Sequence, residues 1–177
     1  MRLSIAVRPP PGALVALGRL PRPPTPGVTW SVPEQWIVKL RPLGHVDTAL
    51  VDALADAVAD ALDGAGPLDC TLGPRTERLG GQWLGVPAHG LDDVGAEVFT
   101  ATSAIVPVTH PQPFRADLVL ARGRVPADLA GTVVDIRWTV EEVVLVADRS
   151  SPRGPRLVDL VGVPLASTPS ACRRADP

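Results

Sequence analysis

The chain holds 17 lysines and arginines together, and Lys39 is the only lysine among them. An Ala-, Pro- and Arg-rich composition points to a coding bias against lysine, which makes this one the least accidental residue in the sequence. An amine on a protein surface is inert at neutral pH, but one placed among apolar neighbours can lose its proton and serve as a base or a nucleophile. The other groups with chemical capacity are sparse. His45, His89 and His110 are the three histidines, and each falls in a segment that reads as loop or element end; His110, flanked by proline, is the one outside candidate for proton transfer. Cys70 and Cys172 lie far apart with no CxxC or Cys/His spacing, so they read as isolated thiols and neither a metal site nor any other cofactor is expected.

The element that must carry Lys39 is the stretch Gln35 to Gly44, QWIVKLRPLG. Its alternation predicts a strand over Ile37–Leu43 in which Ile37, Lys39 and Arg41 share one face while Trp36, Val38 and Leu40 face a core. A second strand with a distinctive face is Phe114 to Arg122, FRADLVLAR, where Asp117, Val119 and Ala121 lie on one side and Leu118 and Leu120 on the other. Around these two, the pattern predicts a strand over Leu3–Val7 and a helix from Gly12 to Leu20 behind Pro11. A helix capped by Asp47 runs to about Leu62, with Leu50, Leu54, Val58 and Leu62 in one stripe. Leu68–Leu72 and Trp83–Val86 read as strands. A helix opened by Asp92 and Asp93 has Leu91, Val94, Val98, Ala101, Thr102 and Ile105 on its buried side. Arg137–Val146 and Leu157–Leu165 read as the last two strands, and Trp36, Trp83 and Trp138 as core.

The two halves echo one another, each a distinctive strand with an amphipathic helix. The expected fold is therefore α+β and bilobal: two antiparallel sheets with outer helices around a central cleft onto which both distinctive strands face. Residues 1–165 are expected to form this one domain and 166–177 a disordered tail. At 177 residues and 45% hydrophobic content the chain can bury an ordinary core. Net charge is −2, which argues against bulk electrostatic binding of nucleic acid. No signal sequence or membrane-length apolar run is present, so a cytoplasmic location without membrane association is expected.

Several segments, in order and spacing, resemble the 2H phosphoesterase superfamily, in particular its bacterial 2′-5′ RNA ligase-like, RNA 2′,3′-cyclic phosphodiesterase branch. Arg2-Leu3-Ser4-Ile5-Ala6-Val7 is similar to that family's opening strand. Trp30-Ser31-Val32-Pro33-Glu34-Gln35-Trp36 and Leu40-Arg41-Pro42-Leu43-Gly44 resemble its W-x-P-P-E-x-W/L and L-R-F-L-G segments. Trp83-Leu84-Gly85-Val86, Phe114 to Arg122 and Trp138 to Val146 resemble its later motifs. The resemblance implies a cleft flanked by two H-x-T motifs, whose histidines act as general acid and base on a phosphate that the threonines hold. At the matching positions this chain reads Ile37-Val38-Lys39 and Asp117-Leu118-Val119, so all four signature residues are replaced.

Isoleucine exchanges no proton, valine offers no hydroxyl, and Asp117 sets an anion where a phosphate would lie. Phosphodiesterase and ligase chemistry is therefore expected to be lost. Three readings follow. In the one adopted, the cleft is repurposed as a small-molecule enzyme in which Lys39 and Asp117 are the catalytic acid–base pair and Ile37, Arg41, Val119 and Arg122 line the substrate site. In the second, a catalytically dead protein keeps Arg41, Arg115 and Arg122 and binds nucleotides or RNA. In the third, Lys39 and Asp117 close the cleft as a structural ion pair. The sequence sets neither the substrate nor the oligomeric state.

Overall fold

The computed structural model describes residues 1–108, 115–152 and 154–165. Among the described residues ten strands and three α-helices follow in order: β1 (Arg2–Val7), α1 (Pro11–Gly18), β2 (Val28–Trp30), β3 (Val38–His45), α2 (Val51–Ala61), β4 (Leu68–Leu72), β5 (Glu77–Leu79), β6 (Trp83–His89), α3 (Asp92–Ser103), β7 (Asp117–Gly123), β8 (Ile136–Val140), β9 (Glu142–Asp148) and β10 (Leu157–Pro164). The main path of the curled antiparallel sheet runs β10-β9-β1-β3-β7-β6-β4-β8, with β2 added to β7 and β5 to β6. The architecture is α+β, as expected. The two expected sheets are two four-stranded halves, β10-β9-β1-β3 and β7-β6-β4-β8. They meet along β3 and β7, whose register consists of the single pair Val38 with Leu118.

Each helix forms for a local reason and then crosses to the place that buries it. Proline opens α1, where its missing N–H costs nothing. Asp47 accepts from the amide of Ala49 at 3.0 Å, and the chain makes one 3-10 turn, Thr48–Leu50, before α2 proper begins. The expected stripe is buried at Leu54, Val58 and Leu62, while Leu50 is half-buried against the core. In α3, Val94, Val98 and Thr102 face inward and Asp92 and Asp93 sit in the first turn. α2 lies on β10 and α3 on β3, so both back the first half; α1 follows β1 in sequence yet packs on β8 of the other half. One core cluster runs through both halves, from Leu3, Ile5 and Val38 to Leu72, Val86, Leu118 and Val140.

Three expectations change. Arg137–Val146 is not one strand: β8 pairs with β4 in one half and β9 with β1 and β10 in the other, with Glu141 at the change of partner. The segment is strand-like throughout, and alternation carries no mark of a switch in partners. Trp83 is no core residue, being 44% exposed, and Trp138 is only half-buried. The short strands β2 and β5, three residues each, fall below the length that a sequence pattern reveals. His110, Phe114 and the segment 166–177 lie outside the described residues.

Candidate functional site

Pairing of Val38 with Leu118 fixes the centre of the site. In an antiparallel pair it sets position 39 across from 117 and position 37 across from 119. All four sequence-predicted residues Ile37, Lys39, Asp117 and Val119 thus gather on one face, where the halves meet. Val38 and Leu118, fully buried, point the other way into the core and hold the two strands together.

The face is apolar on the side of the first half. Ile37, just before β3, is buried with Ala6, Val144 and Val146 in a small cluster separate from the main core, and Leu157 packs on it. Ala6 is the register partner of Lys39. On the side of the second half, Asp117 borders a cavity of about 330 Å³ that is also lined by Leu79, Gly80, Gln82 and Trp83. The β5–β6 hairpin builds that wall. Gly80 and Gly81 turn the chain at φ +56° and +75°, a conformation that favours glycine. Gly85 then leaves room for Leu79 to fold across the sheet, since a Cβ there would run into the Leu79 side chain and approach the Leu118 carbonyl oxygen to 2.7 Å.

Two β-bulges decide which arginines reach the site. In β3, Ala6 pairs with Lys39 but Ile5 with Arg41, so Leu40 is an extra residue and the alternation reverses. Arg41 is consequently not a substrate-site residue, contrary to the sequence expectation. It is 4% exposed, and its guanidinium donates to the Phe99 and Val106 carbonyls at 3.3 and 2.6 Å and to the Thr102 hydroxyl, tying down the end of α3. In β7, Val119 pairs with Gly85 but Ala121 with Leu84, so Leu120 is the extra residue. This reversal brings Arg122 to the side of the cavity, where its guanidinium lies 5.6 Å from the centroid of the Trp83 ring. One bulge removes an arginine from the site and the other supplies one.

The electrostatics push the two central groups toward each other. Lys39 is lowered from its ordinary value of 10.5, first by burial of its ammonium and then by the Arg122 and Arg2 cations; Asp148 and Asp117 oppose this. By surface area Lys39 remains exposed, so water still reaches the chain and moderates the effect of burial. Asp117 is raised from 3.8, mainly by burial, against the pull of Arg115 and Lys39. Arg115 is occupied by Glu77 at 2.6 Å. Among the described residues, Lys39 and Asp117 form neither an ion pair nor a hydrogen bond with each other. No group of three His, Cys, Asp or Glu among the described residues is placed to hold a metal ion. The arrangement offers an amine and a carboxyl with converging proton affinities beside a small, mostly apolar recess.

Sequence reasoning missed Trp83, Gln82 and Arg2. The available signal for the first two was the Gly80-Gly81 turn directly before them, which puts an aromatic residue at a hairpin tip rather than mid-strand.

No family model matches the sequence, and no curated protein matches it. Solved structures do. A Thermus thermophilus protein, TT0787, superposes with a TM-score of 0.76 at 21% identity, over 93% of this chain and 98% of that one. Escherichia coli LigT complexed with 3′-AMP gives 0.75 at 18% identity, over 93% and 97%. A structure described as a phosphoesterase gives 0.74 at 19% identity, over 93% and 98%. The fold is that of the LigT-like 2H phosphoesterases.

Proposed function

We propose that this protein is a small-molecule enzyme on a 2H phosphoesterase scaffold, with Lys39 and Asp117 as a proton-exchanging pair and no phosphodiesterase or RNA-ligase activity. The observation that carries the reading is the register pair Val38–Leu118, which puts an amine across from a carboxyl beside a cavity without closing them into an ion pair. A structural salt bridge would spend both charges on each other; here each stays available. The apolar lining from Leu79 and Trp83 fits a compact organic substrate. Reactions open to such a pair share one step, removal of a proton from carbon next to a carbonyl, and they include isomerisation, dehydration and aldol-type chemistry.

The test is hydrogen–deuterium exchange at carbon. Small ketones and 1,3-dicarbonyl compounds are incubated with the protein in D2O and the loss of proton signal is followed by NMR. The wild-type chain is expected to accelerate exchange, and Lys39→Met or Asp117→Asn to reduce it by ~10²–10⁴-fold, the usual worth of a general acid or base. Nucleoside 2′,3′-cyclic phosphates are expected to be hydrolysed at the background rate. Turnover of these phosphates by the wild-type chain would overturn the proposal.

One observation favours a second reading, a nucleotide-binding protein without turnover. Trp83 is an open indole face at the cavity with a guanidinium over it, a suitable shelf for a base. The neighbouring Asp117 carboxyl counts against a phosphate there. Binding of 3′-AMP that is lost in Trp83→Ala, with no carbon exchange on any carbonyl compound, would decide for this second reading.

A further inference from the structure

We propose that Lys39 works covalently, capturing the carbonyl of a small oxo acid as an imine while Arg122 seats the carboxylate and Asp117 carries the proton. This rests on the acid–base reading above and narrows it to one substrate class. Three features of the site ask for such a molecule. First, the amine is unencumbered: among the described residues Lys39 makes no ion pair and donates no hydrogen bond. Second, Arg122 is an unspent anion seat. The β7 bulge turns it to the cavity side, its guanidinium lies over the Trp83 ring at 5.6 Å from the centroid, and among the described residues it has no carboxylate partner. A planar fork fixed on a ring suits a carboxylate better than a point charge does. Third, about 330 Å³ lies at the low end of ligand cavities, which suits a compact acid with an alkyl or aryl group against Leu79 and Trp83.

The neighbouring cations serve both ends of the reaction. Arg122 and Arg2 disfavour the ammonium form of Lys39 and attract the acid that Lys39 must meet. The neutral amine donates its lone pair to the carbonyl carbon. The carbonyl oxygen, taking one proton from the Asp117 carboxyl and one from the nitrogen, departs as water and leaves an iminium ion. The Asp117 carboxylate then accepts the proton from the adjacent carbon, giving an enamine and regenerating the carboxyl. Reprotonation at carbon and addition of water release product and free amine. No oxidant, reductant or metal enters this balance.

Because Lys39 is the only lysine, trapping reads one position. The full chain is treated with sodium cyanoborohydride and pyruvate, phenylpyruvate or acetone, and the adducts are mapped by peptide mass spectrometry. The Met1 amine, which donates to the Val46 carbonyl at 2.6 Å, is the internal comparison. The expected result is an adduct on Lys39 that forms faster than on Met1, is absent in Lys39→Arg, and is slowed in Arg122→Gln by about tenfold for the oxo acids but far less for acetone. Labelling of Lys39 no faster than Met1 overturns imine capture. An equal effect of Arg122→Gln on the oxo acids and acetone overturns the carboxylate seat. If trapping fails while carbon exchange in D2O persists and still depends on Lys39, the lysine is a base only and the acid–base reading stands. If both fail, that reading falls with it.

Discussion

At the scale of single residues, the site is two charges that would each be more comfortable neutral. Lys39 lies below its ordinary 10.5, so between its folded value and 10.5 the unfolded chain binds the extra proton, and stability rises with pH across that window. Below it, both states hold the proton and the full cost of a cation in the cleft is present. Asp117 behaves in the opposite sense. Its folded value lies above 3.8, so the folded chain keeps the proton longer and stability falls as pH rises through that range. Melting curves across pH are expected to show Lys39→Met more stable than wild type at neutral pH, with the gap closing toward 10.5. Asp117→Asn is expected to gain on wild type as pH rises above 3.8. A loss of melting temperature at neutral pH in both variants would instead mark a structural ion pair. Both residues were legible in the sequence, Lys39 because it is unique and Asp117 because the family resemblance set it at the place of a signature histidine. Arg2 was not, since nothing in a linear pattern says that β1 lies beside β3.

At the scale of elements, the bulges in β3 and β7 matter more than the strands themselves. Sequence alternation gave the faces of Ile37 to Lys39 and of Asp117 to Val119 correctly. It failed one residue beyond each bulge, at Arg41 and at Ala121, which lies in the main core rather than beside Asp117 and Val119, because the extra residue reverses the faces that follow it. Arg122 reached the site by the same irregularity. This distinction is measurable. Arg41→Ala removes the guanidinium that holds the Phe99 and Val106 carbonyls and the buried Thr102 hydroxyl at the end of α3, with an expected cost of about 1–3 kcal/mol in all. Urea titration should register that loss, while the rate of cyanoborohydride trapping per folded molecule stays as in wild type. A specific loss of trapping without loss of stability would return Arg41 to the cleft. The helices were the easiest elements to read, since Asp47 and the Leu54–Val58–Leu62 stripe depend only on local chemistry.

At the scale of the whole molecule, two halves share one core although their sheets touch through a single register pair. Leu118 is fully buried at that junction and belongs to the common cluster. Leu118→Ala is expected to cost about 2–5 kcal/mol, and amide exchange in β9 and in β6 should quicken together, since one core implies one cooperative transition. Quickening confined to β6 would show two independent units. The bilobal plan was legible from the repeated strand-and-helix pattern, but the crossing of α1 onto β8 was not, because helix amphipathicity names a buried face and never the partner that covers it. That crossing has a practical side. A cut between α2 and β4 would leave one piece with β1, β2 and β3, in which β1 still pairs β3, and the other with the neighbours they would lack: β9 for β1, β7 for β2 and β3, and α3 against β3. Lys39 would travel with the first piece and Asp117 with the second. The chain is thus laid out as a two-part lock, in which chemistry at the seam would report the return of β1 and β3 to a second piece that carries the other half-sheet whole.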